Sequence, residues 1–188
     1  MKVRVIAVGL LSVWAFQAQA LLLTPSTSGV IAGTEYGPGD CEPACVEKVF
    51  DTDPLTLLYK ADVGEIVSEE GLFAPFYETT FLNSPFDPSG AEITNSLVAW
   101  ITCDECYLAI KDGYHSPGYY FYDLSGWNGK ETITLADFWP KQGAISHIAI
   151  WGDRQSVPEP ATLSLLGAGL LLVALGARRK LFRRAPGA

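Results

Sequence analysis

Between residues 41 and 156, apolar and polar positions alternate in short runs separated by turn residues. Residues 55–60 (Leu-Thr-Leu-Leu-Tyr-Lys), 76–81 (Phe-Tyr-Glu-Thr-Thr-Phe) and 106–111 (Cys-Tyr-Leu-Ala-Ile-Lys) are typical. A period of two sends successive side chains to opposite faces of an extended chain, so these runs predict strands. Residues 119–124, 131–135 and 145–151 extend the set, as does the longer run 91–102, where Leu97, Ala99 and Ile101 can share one face. Asp112-Gly113 follows one run directly and is a turn signal. No stretch of this region makes a convincing amphipathic helix. Short, closely spaced strands of this kind predict an all-β fold, an antiparallel β-sandwich or jelly roll. The region of about 115 residues is long enough for one such core. Residues 21–40 are rich in Thr, Ser, Gly and Pro and read as a loose lead-in.

The two ends follow other rules. Residues 1–20 have a basic start (Lys2, Arg4), an apolar run over 5–16 and small residues at Ala18 and Ala20. That order predicts a secretory signal peptide, cut by signal peptidase. At the other end, residues 157–188 run Val-Pro-Glu-Pro, then an uncharged stretch over 161–177, then Arg178-Arg179-Lys180-Leu181-Phe182-Arg183-Arg184. Seventeen helical residues would span about 25 Å, enough for a short transmembrane helix. The basic cluster predicts a cytoplasmic C-terminus, and therefore an exported body. Pro158 and Pro160 flank Glu159, and each proline disfavours helix in the residue before it. That tripeptide should be extended and open to a processing enzyme.

Charge sharpens the division. Only six Lys and Arg residues stand against twenty acidic ones over 21–156, a balance of about −14, whereas the whole chain is at −8. A body this acidic repels phosphate backbones and argues against nucleic-acid partners. It suits cation binding, or solubility outside the cell.

Taken in order, Pro158-Glu159-Pro160, the apolar run and the basic end with Arg178, Arg179 and Lys180 resemble the PEP-CTERM sorting signal of Gram-negative bacteria. The resemblance covers about thirty residues. It implies that the chain is a substrate of exosortase, a membrane-embedded transpeptidase-like enzyme, with an inner-membrane intermediate before the tail is removed. It also implies a cell-surface or matrix location, in the setting of exopolysaccharide and biofilm. Residues 107–152 resemble a recurrent β-rich ectodomain of the same proteins, notably over 108–113, 119–124, 127–132 and 143–152. That second resemblance brings an architecture with it and no activity.

Four cysteines, Cys41, Cys45, Cys103 and Cys106, stand as Cys-x3-Cys and Cys-x2-Cys. In a reducing compartment the set could hold zinc. Export to an oxidising one favours two disulfides. Three pairings are open, and local pairs, Cys41 with Cys45 and Cys103 with Cys106, are the expectation. A redox-active Cys-Asp-Glu-Cys is the third option. Its two acids would disfavour a reactive thiolate, and no thioredoxin-like pattern surrounds it.

Site chemistry is sparser. His115 and His147 have no metal-ligand spacing; His147 in its apolar run reads as structural and His115 as exposed. No nucleophile elbow surrounds a serine. Asp51, Asp53 and Asp87 in expected loops are hard oxygen donors that could suit calcium, without an EF-hand spacing; otherwise no cofactor is expected. Aromatic residues crowd together, with Tyr114, Tyr120, Trp127 and Trp139 the candidates for glycan contact through ring faces. The functional expectation is a non-enzymatic structural or adhesive protein of the surface or polysaccharide matrix. The competing expectation is an extracellular glycoside hydrolase or lyase, which for hydrolysis needs two carboxylates facing each other across a cleft.

Overall fold

The computed structural model describes residues 20–36, 39–52, 54–102, 104–140 and 143–153. The expected signal-peptide and C-terminal helices lie outside those residues. No helix among the described residues is long and apolar enough to cross a membrane.

Among the described residues, ten strands form two sheets, with one short helix and one 3-10 turn. The strands are β1 (Leu21–Leu23), β2 (Ile31–Gly33), β3 (Thr56–Asp62), β4 (Ser68–Glu70), β5 (Tyr77–Leu82), β6 (Gly90–Asn95), β7 (Cys106–Asp112), β8 (Tyr119–Asp123), β9 (Ile133–Leu135) and β10 (Ile145–Gly152). One sheet has the order β1-β9-β6-β5 and the other β2-β8-β7-β10-β3-β4. All pairings are antiparallel except β1 with β9, which are parallel. The expectation of a wholly antiparallel fold is therefore corrected at that edge.

Aromatic rings join the two sheets. Tyr59 of β3 and Tyr77 of β5 lie 5.4 Å apart by ring centroids. The Tyr59 hydroxyl also meets the Thr79 hydroxyl at 2.7 Å. Phe138, just after β9, packs on Tyr120 and Tyr122 of β8 at 5.4 and 6.3 Å. Ile93, Ile110, Ile133, Leu135, Ile148 and Ile150 are fully or almost fully buried in the same core.

The six-stranded sheet is covered on its other face as well. There Cys45 and Val46 pack with Tyr107, Ala109, Tyr119, Phe121, Ala149 and Trp151. Cys45 and Val46 belong to α1 (Ala44–Phe50), which ends at Asp51 in the left-handed conformation. Phe50 stacks on Tyr107 with ring centroids 4.2 Å apart. β7 is consequently buried along its whole length, as expected of a strand with layers on both sides. A seven-residue helix is too short to show a reliable period, so alternation alone could not find it.

This second face is polar beyond the helix. Glu42 accepts from Trp151 Nε1 at 3.2 Å, and its other oxygen lies 3.3 Å from His147 Nε2. Lys111 Nζ donates to Asp40 at 2.7 Å. Lys111 and His147 are both buried, so they need such partners.

Two further segments differ from their sequence reading. The lead-in expected at 21–40 contains β1 and β2. Backbone bonds from Leu21 N to Thr132 O (2.8 Å) and from Ala136 N to Leu23 O (3.1 Å) tie β1 in. Gly33 permits β2 to lie against β8, because a Cβ there would sit 2.8 Å from the rings of Phe121 and Tyr36. The long strand expected over 91–102 stops at Asn95. That side chain accepts from Leu97 N at 2.6 Å and donates to the carbonyls of Phe76 and Ala99. Leu97 is held at φ 61° and is 65 % exposed, whereas Ala99 and Ile101 are buried. The three residues therefore do not share a face.

Candidate functional site

A groove of about 880 Å³ opens where three loops meet. Thr24, Pro25 and Ser26 come from the loop after β1, Ser116 and Pro117 from the β7–β8 connection, and Asp137, Trp139 and Pro140 from the segment after β9; Tyr120 of β8 completes the lining. The volume falls in the range usual for small-ligand sites, about 300–1,000 Å³.

Its walls are fixed from behind. The Tyr122 hydroxyl donates to Thr24 O at 2.8 Å, and Thr24 N donates to the Thr27 hydroxyl at 2.8 Å. Trp139 Nε1 donates to Pro117 O at 3.0 Å, tying one wall to another. The Tyr120 and Trp139 rings are 5.0 Å apart and tilted by 58°. Tyr120 is half-buried, and burial raises its phenol above the ordinary range. Trp139 is only 7 % exposed, so it offers a strip of ring and not a full face. Asp137 and Trp139 both have positive φ, 62° and 47°. Left-handed backbone in non-glycine residues costs energy and concentrates at binding sites.

Of the four aromatic candidates, the fold brings only Tyr120 and Trp139 into one groove. Trp127 is buried, donates Nε1 to Glu131 O at 2.9 Å and packs on Tyr77. It lines a separate recess of about 220 Å³ with Asp123 and Glu131. Tyr114 is 89 % exposed, at the rim of a third recess of about 310 Å³ that also holds Asp87, Asp112, His115 and Ser146. In that recess the buried Asp112 carboxylate is already engaged by Tyr114 N, His115 N, His115 Nδ1 and Ala144 N.

Asp51 and Asp87, two of the acids expected to suit calcium, are not brought together. Asp53 lies outside the described residues. Asp51 ends α1, whose Phe50 stacks on Tyr107, whereas Asp87 shares a recess with Asp112. Tyr107 and Asp112 are five residues apart on one strand, about 17 Å. Calcium ligands lie about 2.3–2.6 Å from the ion. Among the described residues no group of three or more His, Cys, Asp or Glu side chains could hold a metal ion.

Cys41 and Cys45 form a disulfide. Cys106 is also disulfide-bonded; its expected partner, Cys103, lies outside the described residues. No described cysteine is free. The first bridge does not simply pin a turn, since Cys45 lies in the first turn of α1 and its N–H donates to Cys41 O at 3.1 Å.

Alternation could not single out Asp137, Thr24 or Ser26. They are ordinary loop residues in sequence, and only the meeting of three loops makes them one lining. The sorting residues Pro158, Glu159, Pro160, Arg178, Arg179 and Lys180 lie outside the described residues.

Residues 156–180 match the family described as the PEP-CTERM protein-sorting motif. The chain is therefore an exported protein sorted by exosortase, with a surface or extracellular destination. Its folded body is a β-rich ectodomain. No curated protein and no solved structure matches the chain.

Proposed function

We propose that the two-sheet body is a β-sandwich acting as a non-catalytic, structural or adhesive component of a polysaccharide matrix, and that the Tyr120–Trp139 groove holds a glycan. The observation that carries this reading is the groove itself. Two aromatic rings stand in a recess whose other walls offer the Thr24, Ser26 and Ser116 hydroxyls and the Asp137 carboxylate. Sugars present apolar C–H faces and hydroxyl edges, and such a lining meets both. The walls are anchored by hydrogen bonds from behind, so little ordering cost falls on binding. Binding is favoured over cleavage because Asp137 is the one carboxylate among the described lining residues, whereas glycoside hydrolysis ordinarily draws on two. The acidic body would keep the released protein soluble in the matrix.

The test uses the processed, secreted protein and the extracellular polysaccharide of the producing cells. Affinity electrophoresis should show retarded migration of the parent protein. Ser26→Trp fills the groove from an exposed position, and Tyr120→Ala removes a ring. Each should restore free migration while leaving the thermal unfolding curve cooperative. Retardation of the Ser26→Trp protein equal to that of the parent would overturn the groove assignment.

A further inference from the structure

Resting on the glycan-binding reading, we propose that this groove selects by charge, taking neutral glycans, preferring those with a free amine, and rejecting those with uronate or sulfate groups. Asp137 is exposed at the lip of the groove and is the only charged side chain among the described lining residues. Among the described residues, no hydrogen bond or ion pair occupies its carboxylate. The other described lining groups are hydroxyls, prolines and rings, none of which offers a cationic donor. An anionic sugar entering this space would place its carboxylate or sulfate near Asp137 with no described cation to compensate.

The surroundings act in the same direction. The body carries twenty acidic residues against six basic ones over 21–156. Several of those bases are already committed: Lys60 pairs with Asp62 and Glu70, Lys111 with Asp40, and Lys48 with Glu35. Lys130 lies over the Trp100 ring at 3.6 Å. A concave site on a body of one sign focuses that sign's potential. Like charges are repelled before contact, and amines are drawn in. The left-handed backbone at Asp137 supports a functional placement, because it holds an acid at the lip where a glycine would be cheaper.

The experiment measures binding of the processed protein to three oligosaccharides of equal length: a neutral hexose oligomer, an N-deacetylated glucosamine oligomer and a galacturonate oligomer. At low ionic strength the amine-bearing oligomer should bind at least fivefold tighter than the neutral one, and the uronate at least tenfold weaker. Raising the salt should narrow both gaps, because a groove lip is partly screened. Asp137→Asn keeps a residue that tolerates positive φ, so the fold is spared. It should reduce the amine preference over the neutral oligomer to less than twofold, both affinities being compared within the variant. Uronate binding equal to neutral binding, or an amine preference that survives Asp137→Asn, overturns the charge selection and leaves the groove reading standing. Binding of none of the three overturns both.

Discussion

Glu69 crosses from one sheet to the other: its Oε1 accepts the backbone N–H of Thr79 at 2.8 Å. The same oxygen accepts the Tyr59 hydroxyl at 2.7 Å. β4 and β5 are the edges of their two sheets. One carboxylate thus occupies an outward N–H of β5 that would otherwise invite a foreign strand. Replacing Glu69 by Ala leaves that N–H without its acceptor and the Tyr59 hydroxyl with Thr79 as its remaining partner. A loss of about 1–3 kcal/mol is expected in urea unfolding, with more aggregation on refolding. Glu69→Gln keeps an acceptor and should recover most of the stability.

Alkaline unfolding should be cooperative and should begin near pH 10. Burial pushes the Tyr77 phenol up to about 12 from its ordinary 10.0. Burial also raises Tyr59, Tyr119 and Tyr122. A phenol raised in the folded chain keeps a proton that the unfolded chain has released. Its stabilising contribution is therefore complete below pH 10, and Tyr77 loses it progressively as pH climbs to about 12. The ring NMR signals of Tyr59, Tyr77, Tyr119 and Tyr122 should titrate only together with the loss of circular dichroism. Titration of these four signals ahead of unfolding would contradict the burial of these rings.

Gly129 and Gly126 make a controlled pair. Both have positive φ, 71° and 97°. A Cβ on Gly129 would collide with the Ile101 carbonyl, whereas one on Gly126 meets nothing within 4 Å. The Gly129 carbonyl also accepts the Tyr77 hydroxyl at 2.6 Å, which in turn accepts Ile101 N at 3.0 Å. Gly126→Ala should cost only the left-handed backbone term, about 1–2 kcal/mol. Gly129→Ala should cost clearly more, since backbone must move. Equal thermal shifts for the two would show that the Tyr77 knot is soft.

The Cys41–Cys45 bridge closes a short loop, four residues in separation. Replacing both by Ala should cost about 2 kcal/mol on the chain-entropy account. Val46 and Phe50 still hold α1 to the sheet, so the fold should survive. A variant unable to fold would mean that the bridge, and not packing, holds the helix.

Intact mass of the secreted protein reads both ends at once. The expected species lacks residues 1–20 and the basic end with Arg183 and Arg184. Each bridge lowers the mass by about 2 Da relative to the reduced chain, so the two expected bridges give about 4 Da. A secreted species retaining Arg184 would contradict removal of the tail.

The amino-acid sequence determined the export logic, because targeting is read from linear order: basic start, apolar run, small residues; then Pro158-Glu159-Pro160, apolar run, Arg178 onward. It also located the long strands, since β3, β5, β7, β8 and β10 each have several residues of side-chain pattern. What it could not reach was set by non-local contacts. β1, β2 and β4 have three residues each and exist because β9, β8 and β3 offer them partners. The strand expected over 91–102 ended early because one Asn95 side chain satisfied three backbone groups and turned the chain. The aromatic cluster shows the same division. Sequence placed Tyr114, Tyr120, Trp127 and Trp139 within twenty-six positions. Only tertiary structure decided that Trp127 is core, Tyr114 stands apart and Tyr120 meets Trp139, because each ring's exposure depends on which loop folds over it.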